Sequence, residues 1–226
     1  ILERFFDIFF SGTALIILSP FLIPIIVILK LSGEGEIFFL QERIGKNGVA
    51  FKLFKFATML KDSPYIGSKT VTMQDDPRVL PVGKFLRKTK INELPQLLNI
   101  FFGDMSLIGP RPLTNQTFSA YPKSTQNIIT KVKPGLSGVG SIVFRNEEEI
   151  MHGANASVDF YTHTIAPYKG SLEEWFVSNK SIYIYFMAIF ITIWAVLFPN
   201  TKVAWQIFKK LPVPPDELKL ALSYKD

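Results

Sequence analysis

Three segments of the chain contain positively charged side chains, two carboxylates, and closely spaced glycines and prolines. They cover residues 51–59, 90–112 and 132–146, with the sequences FKLFKFATM, KINELPQLLNIFFGDMSLIGPRP and VKPGLSGVGSIVFRN. Cationic side chains and backbone donors are the groups that stabilise the dispersed negative charge of a diphosphate. The segments therefore favour phosphoryl transfer, a reaction that depends more on such groups than on acid–base catalysis.

The cationic side chains of these segments, and Arg87 and Lys88 just before the second one, are candidates for contact with a phosphorylated substrate. Arginine is favoured for forked contact with phosphate oxygens, and the prolines on both sides of Arg111 restrict its backbone. Arg145 directly follows a glycine-rich loop. Pairing with a surface carboxylate is the simpler interpretation of either arginine. We predict substrate binding by the following side chains and one framing proline: Arg87, Lys88, Pro110, Arg111 and Arg145.

The composition excludes several other kinds of site. The 226 residues contain no cysteine, which excludes disulfides, thiolate catalysis and cysteine-ligated zinc, and two histidines are too few for a histidine-rich metal site. The net charge of +6 favours an anionic partner. The basic residues lack the stripe and interleaved aromatics of nucleic-acid-binding modules, so no nucleic-acid partner is expected.

An uncharged run from Ile8 to Leu29 is long enough to span a bilayer as a helix. Pro20 and Pro24 lie inside it, and they free the carbonyls of Ile16 and Pro20, four residues earlier. The hydroxyl of Ser19 can donate to only one of these carbonyls. The run predicts either a kinked span or a helix that breaks and returns to the same side of the membrane.

The polar part of the chain predicts a mixture of helices and strands. Residues 36–41 and 51–56 alternate like the two strands of a β-hairpin. Residues 82–101 have helical periodicity, and Pro95 should kink that helix or begin a new one. Residues 141–144 are predicted to form a short strand.

The three segments, their order and spacing, and the N-terminal apolar run resemble the bacterial sugar transferase family, the monotopic phosphoglycosyl transferases. The resemblance extends from about Arg4 to about Lys180. It implies a UDP-sugar donor, polyprenyl (undecaprenyl) phosphate as the acceptor, UMP as the by-product and Mg²⁺ as the cofactor. It also implies a re-entrant membrane helix broken at Ser19-Pro20.

In this family an Asp-Glu pair stands at the start of the helix in the central segment, and the aspartate attacks the β-phosphate of the donor. The resemblance therefore implies catalytic roles for Lys55, Glu93 and Asn92, with Mg²⁺ held at Asn92 and Glu93. Asn92 stands where the family pattern has the aspartate. A neutral amide is not a competent nucleophile toward phosphate.

Four explanations of Asn92 are open. Glu93 acts as the nucleophile; or the phospho-sugar passes directly to the lipid phosphate; or the chain is an inactive binder of a nucleotide-sugar or polyprenyl lipid; or an engineered asparagine replaces a natural aspartate. The remaining motifs are intact, which favours a functioning site.

The expected organisation is a re-entrant membrane helix at residues 1–32, a catalytic domain at 33–180, and a C-terminal interfacial helix and tail at 181–226. The fold class is α+β, with the helix hairpin, a small β-hairpin and amphipathic interfacial helices around one active site. The aromatic, uncharged run 182–198 suits a membrane interface. Basic residues facing anionic lipid place the catalytic domain on the cytoplasmic face of a bacterial inner membrane. A homodimer is compatible with this arrangement.

Overall fold

The computed structural model describes residues 2–32, 34–61, 78–145, 147–150, 158–198 and 203–224. The strands are β1 Phe38–Ile44, β2 Ala50–Phe56, β3 Ser106–Ile108 and β4 Gly135–Ser137. The helices are α1 Leu2–Leu31, α2 Pro81–Lys88, α3 Gln96–Phe102, α4 Asn115–Ser119, α5 Lys123–Ile129, α6 Val139–Val143, α7 Glu147–Ile150, α8 Val158–Phe160, α9 Ala166–Ser178, α10 Ile182–Leu197, α11 Val203–Ile207 and α12 Asp216–Lys219.

The chain folds into two compact units. The first unit comprises Ile1–Asp7, Arg43–Phe51 and Gly103–Asp226, and the second comprises Ile8–Glu42 and Lys52–Phe102. Helices and short strands are mixed along the chain, which confirms the α+β class. The domain boundaries expected from the sequence stay predictions.

Helix α1 runs through both prolines of the uncharged segment, Pro20 and Pro24. The Ser19 hydroxyl donates a hydrogen bond of 2.7 Å to the carbonyl oxygen of Ile16, so it satisfies one of the two carbonyls that the prolines free. Only 11% of the most apolar stretch of this helix is buried. The helix is long and apolar enough to cross a membrane, and its re-entrant path stays a prediction.

The predicted hairpin is present, since β1 and β2 pair through a short turn. Asn47 and Gly48 in this turn have φ values of +59° and +75°. Asparagine and glycine tolerate this left-handed conformation better than other residues, and it suits the tight reversal between the strands. The hairpin predicted from residues 36–41 and 51–56 is therefore confirmed.

The core of the second unit consists of Leu29, Phe56 and Leu86, which come from α1, β2 and α2. Burying an apolar side chain of this size contributes roughly 1.5–3 kcal/mol. The packing fixes the neighbouring positions on β2 and α2, including Lys55 and Arg87. The apolar residues thus position two of the candidate cations.

The predicted helix over residues 82–101 is divided into two. Helix α2 ends at Lys88, and α3 begins at Gln96, directly after Pro95. Proline lacks the N–H that a helix interior requires but is tolerated at its start, so the prediction of a new helix is confirmed. A 3-10 turn, Ile91–Glu93, lies between them and is entered through Lys90 with a φ of +59°.

In the first unit β3 and β4 pair in parallel, with Ser106 opposite Gly135 and Ile108 opposite Ser137. The strand predicted at residues 141–144 is wrong, because this segment belongs to α6, where Ile142 donates a helical hydrogen bond of 2.8 Å to the Gly138 carbonyl. A short apolar run does not distinguish a strand from a buried helical turn.

Asp7 is buried in the first unit and joins three elements. It accepts hydrogen bonds from the Ser106 hydroxyl at 3.0 Å, the Leu107 amide at 2.9 Å and the Tyr185 hydroxyl at 2.8 Å. A buried carboxylate needs such donors to offset the loss of hydration. The start of α1 is therefore fixed to β3 and α10. The rest of the core of this unit is built mainly from α9, α10 and the helices that follow: Ile165, Leu172, Phe176, Ala188, Ile191, Phe208 and Leu218.

Candidate functional site

Lys55 and Glu93 form an ion pair in the second unit. The Lys55 ammonium donates to a Glu93 carboxylate oxygen at 3.3 Å, and the two side chains are 19% and 28% exposed. Lys55 lies on β2, and Glu93 lies in the turn before α3. The structure therefore brings together two of the residues predicted to be catalytic.

Asn99 fixes α3 to β2 and was not identified from the sequence. Its side chain is fully buried, accepts from the Phe54 amide at 2.9 Å and donates to the Lys52 carbonyl at 2.8 Å. These two backbone groups flank Leu53, two residues before Lys55 on the same strand. The amide thus sets the position of the strand that carries the lysine.

Replacing Asn99 with alanine should lower the free energy of unfolding by about 2–3 kcal/mol, because it leaves a buried backbone donor and acceptor without partners. The expected drop in melting temperature is about 4–12 °C for a chain of this size, measured by scanning calorimetry in detergent. Asn127→Ala, at an exposed position, is the control and should change the temperature little. A melting temperature equal to that of the native protein would contradict the role of Asn99.

Asn92 lies directly before Glu93. Its side-chain oxygen is buried and has no hydrogen-bond partner within the described part of the chain. A buried acceptor without a donor is unfavourable unless a ligand completes its shell. This oxygen is therefore suited to a metal ion or to a donor group of a substrate.

Arg87 and Lys88 are at the end of α2, which packs against the turn that carries Glu93. An Arg87 guanidinium nitrogen lies 3.5 Å from the Met59 sulfur, and Lys88 is exposed. The end of this helix adds positive charge to the second unit, a few residues before Glu93 in the sequence.

In the first unit the loop of Pro110 and Arg111 is hydrogen-bonded to the glycine-rich segment. The Gly109 amide donates to the Ser137 carbonyl at 2.9 Å, and the Gly135 amide donates to the Pro110 carbonyl at 2.8 Å. A Cβ atom on Gly135 would lie 2.1 Å from the Gly109 nitrogen. Only glycine allows the two loops to approach this closely, and the exposed Arg111 projects from this paired backbone.

A small, partly open pocket lies beside Pro110 and Arg111. Its other lining residues are Ile44, Gly45, Leu113, Phe118, Ile129, Thr130, Val132 and Pro134. Arg145 belongs to the same unit and is exposed, directly after the buried Phe144. The first unit thus carries both predicted phosphate-binding arginines on its surface.

Two buried charged residues of α9 were also not identified from the sequence. Lys169 forms an ion pair of 2.7 Å with Glu147, and burial lowers the pKa of its ammonium. Burial raises the pKa of Glu173 to about 7, against the opposing effect of Lys169 and of two backbone amides. Their spacing in the sequence could have revealed them, because both lie on the same buried helix face as Ile165, Leu172 and Phe176.

The candidate residues are thus distributed over both units. The second unit holds Lys55, Arg87, Lys88, Asn92 and Glu93, together with Ser19 and Pro20 in α1; the first unit holds Pro110, Arg111 and Arg145.

Comparison with known proteins gives a consistent result. A family model described as bacterial sugar transferase matches residues 1–199. The exopolysaccharide production protein ExoY of Sinorhizobium fredii is 38% identical over 159 residues, which cover 64% of this chain and 70% of the relative.

Two further relatives carry names that state a reaction. A UDP-N-acetylgalactosamine-undecaprenyl-phosphate N-acetylgalactosaminephosphotransferase of Aeromonas hydrophila is 32% identical over 198 residues, or 87% of this chain and 44% of the relative. A UDP-glucose:undecaprenyl-phosphate glucose-1-phosphate transferase of Escherichia coli is 36% identical over 165 residues, or 71% and 35%. The chain therefore spans less than half the length of these two relatives.

Proposed function

Because the chain belongs to the bacterial sugar transferase family, we propose that it transfers a sugar 1-phosphate from a UDP-sugar to polyprenyl (undecaprenyl) phosphate and releases UMP. The observation that carries this proposal is the Lys55–Glu93 pair, a carboxylate held by a cation in the unit that also contains the apolar residues of α1. A lipid acceptor requires chemistry beside a membrane element. The names of the relatives support the class of donor and acceptor.

In the proposed reaction a Glu93 carboxylate oxygen attacks the β-phosphorus of the donor. The bond between this phosphorus and the bridging oxygen breaks, and UMP leaves with the electron pair. An oxygen of polyprenyl phosphate then attacks the phosphorus, which forms the lipid diphospho-sugar and frees Glu93. The Lys55 ammonium holds the carboxylate and reduces its repulsion by the diphosphate.

Arg111 and Arg145 are the proposed contacts for the phosphates of the donor. Both guanidinium groups are exposed, and the first is carried by a loop whose backbone is fixed to the glycine-rich segment. A rigid backbone reduces the entropy lost when an arginine binds an anion. Arg87 and Lys88 contribute further positive charge.

The proposed cofactor is Mg²⁺, held by the side-chain oxygens of Asn92 and Glu93. The buried Asn92 oxygen without a partner fits this role. Among the residues that the structure describes, no group of three or more acidic or histidine side chains is placed to hold a metal. The site therefore fits Mg²⁺ that shares its shell with substrate phosphates and water, the usual arrangement for this ion. Bound there, Mg²⁺ would neutralise charge on the diphosphate.

We place the catalytic residues at the cytoplasmic face of the bacterial inner membrane, with α1 entering the bilayer and returning at Ser19-Pro20. The exposed apolar surface of α1 and the two prolines inside it support this proposal. The acceptor phosphate lies at the headgroups, so the soluble donor has to reach only the membrane surface.

The most direct test incubates the purified protein in nanodiscs with polyprenyl phosphate, Mg²⁺ and each of a panel of UDP-sugars, and measures UMP. Release of many equivalents of UMP per protein molecule that requires both the lipid and one of the sugars supports the proposal. Absence of turnover with every donor, while the nucleotide still binds, would favour the alternative function of an inactive binder, for which the neutral Asn92 is the evidence.

Asn92→Asp tests which side chain carries the reaction. If Glu93 is the nucleophile, the new carboxylate is not needed, and the rate of UMP release should change by less than about threefold, the scale of a substitution that leaves the transition state untouched. Asn92→Ala, which removes the proposed metal ligand, should raise the Mg²⁺ concentration for half-maximal rate by about tenfold.

A large gain of activity in Asn92→Asp would instead identify position 92 as the nucleophilic position and the native asparagine as a disabling residue. The melting temperature of each variant is measured beside its rate, so that a change in folding is not mistaken for a change in chemistry.

A further inference from the structure

Glu173 is a buried carboxylate that the proposed reaction does not use. It lies on α9, is only 1% exposed, and belongs to the first unit together with the loops of Arg111 and Arg145. An ionisable group this deeply buried is costly to keep, so its contacts should show what it does.

One carboxylate oxygen of Glu173 holds both loops by their backbones. It accepts from the Arg111 amide at 3.4 Å and also from the Gly140 amide. The first amide belongs to the segment that carries one predicted phosphate-binding arginine, and the second lies on α6, which leads to Arg145. The same oxygen therefore joins the two segments that present the arginines.

The steric fit around this oxygen is equally close. A Cβ atom on Gly140 would lie 2.4 Å from it and 3.0 Å from the carboxylate carbon. Any larger residue at position 140 would displace the carboxylate. The second oxygen of Glu173 is buried without a hydrogen-bond partner among the described residues. The contacts of the Glu173 carboxylate are therefore made with the backbone of the two loops, through one of its two oxygens.

We propose that Glu173 is a positioning residue, which holds the Arg111 loop and the glycine-rich segment in the arrangement that binds the donor diphosphate. This inference rests on the proposed function, because it assigns the two arginines to the donor. Glu173 itself does not contact the substrate and acts through the backbone of its neighbours.

Because Glu173 can ionise, the strength of its hydrogen bonds to the two loops depends on pH. The charged and titratable groups that face it are Lys169 on its own helix, Arg111 and Tyr121, and Lys169 is in turn paired with Glu147. Burial raises the pKa of Glu173 to about 7, so the carboxylate is ionised above neutrality and protonated below it. An ionised acceptor holds backbone amides more strongly than a neutral one.

A rise in pH is expected to have opposite effects on the two properties: ionisation of Glu173 lowers the stability of the fold but strengthens UDP binding. A folded-state pKa near 7, above the usual 4.5 of a glutamate, means that native stability falls as the pH rises between these values. Glu173→Gln cannot ionise, so its melting temperature relative to the native protein should increase from pH 5 to pH 8. Its affinity for UDP relative to the native protein should decrease over the same range.

The test compares Glu173→Ala, Glu173→Gln and the control Glu174→Ala in the full chain in nanodiscs. Glu174 is the next carboxylate on α9, is half-buried, and accepts from the Thr125 hydroxyl instead of from either loop. Two quantities are measured: hydrogen exchange of residues 109–112 and 138–145, and the dissociation constant of UDP with Mg²⁺ at pH 8.

Glu173→Ala should raise exchange in both segments and weaken UDP binding by about tenfold, the effect of losing one charge-assisted hydrogen-bond tie. Glu173→Gln should bind UDP like the native protein at pH 6 and about three- to fivefold more weakly at pH 8. The ratio of native and variant constants cancels the titration of the ligand phosphate. Glu174→Ala should change neither quantity.

Gly140→Ala provides an independent variant. It should displace the carboxylate and weaken UDP binding about as much as Glu173→Ala does, and adding it to Glu173→Ala should cause little further loss, because the two changes break the same contact. Additive losses would overturn the proposal.

Unchanged exchange in the two loops of Glu173→Ala, or looser loops with an unchanged UDP constant, would also overturn it. These results leave the transferase proposal standing as long as the native protein binds UDP and turns over. Failure of the native protein to bind UDP would remove both.

Discussion

Replacing Glu93 with glutamine should reduce the rate of UMP release by at least about 10³-fold, the scale seen when a catalytic nucleophile is removed. Glutamine keeps the size of the side chain and an oxygen that can accept from Lys55, which lies 3.3 Å from the native carboxylate. It lacks the charge and the nucleophilicity. Because Glu93 is also a proposed Mg²⁺ ligand, the variant is assayed at saturating Mg²⁺, where the loss should appear in kcat and the dissociation constant for UDP should change by less than about threefold.

A matched control comes from the second lysine–glutamate pair of the same unit. Lys61 and Glu36 are 3.2 Å apart, with side chains 67% and 47% exposed. Glu36→Gln makes the same chemical change at a surface pair and should leave the rate within about twofold of native, as expected for exposed ion pairs. The comparison separates the chemistry at Glu93 from the loss of one negative charge.

A chemical trap can be applied to the same variant. Incubation with a donor labelled in the sugar and without the lipid acceptor should attach label to the native protein and release UMP, whereas Glu93→Gln should retain no label. Turnover of Glu93→Gln above a tenth of the native rate would rule out Glu93 as the nucleophile. Native turnover without any labelled protein would indicate direct transfer to the lipid.

Lys55→Met should lower kcat by about 10²–10³-fold, the usual effect of removing one group that stabilises the charge of the transition state. Methionine keeps the aliphatic part of the side chain, so packing on β2 is largely preserved. The Lys55–Glu93 pair is partly exposed, and pairs of this kind contribute only about 0–1 kcal/mol to stability. The melting temperature should therefore change by no more than a few degrees.

Lys52→Met is the control for Lys55→Met, because Lys52 is exposed on the same strand and its backbone carbonyl, not its ammonium, binds Asn99. It should have native activity. If Lys55→Met loses melting temperature in proportion to its activity, the lysine serves the fold and not the reaction.

The elements that follow local rules were predictable from the sequence. The β1–β2 hairpin depends on its alternating strands and on a turn with asparagine and glycine, and the start of α3 depends on Pro95. Lys55 and Glu93 were both predicted to be catalytic residues of one site, but their ion pair was not predicted. Their catalytic roles were implied by the family resemblance of the motifs that contain them, but no local rule places their side chains in contact.

The features that escaped prediction depend on contacts between distant parts of the chain. Asn99 was predicted to be nothing more than a helix residue, because its partners Phe54 and Lys52 are more than forty positions away. The three-residue strands β3 and β4 are too short to give a periodic pattern, and their parallel pairing is a tertiary property. The α6 segment was wrongly predicted for a different reason, since a short apolar run is compatible with either a strand or a buried helical turn.

The carboxylate of Asp7 has a consequence for synthesis of the protein. The Tyr185 hydroxyl that binds it lies 178 positions later in the chain. At roughly 5–20 residues per second, a ribosome needs about 10–35 s to cover this interval. During that time α1 can already have entered a bilayer while Asp7 still lacks one of its three donors, so the nascent chain completes the anchorage of this helix only after Tyr185 has been synthesised.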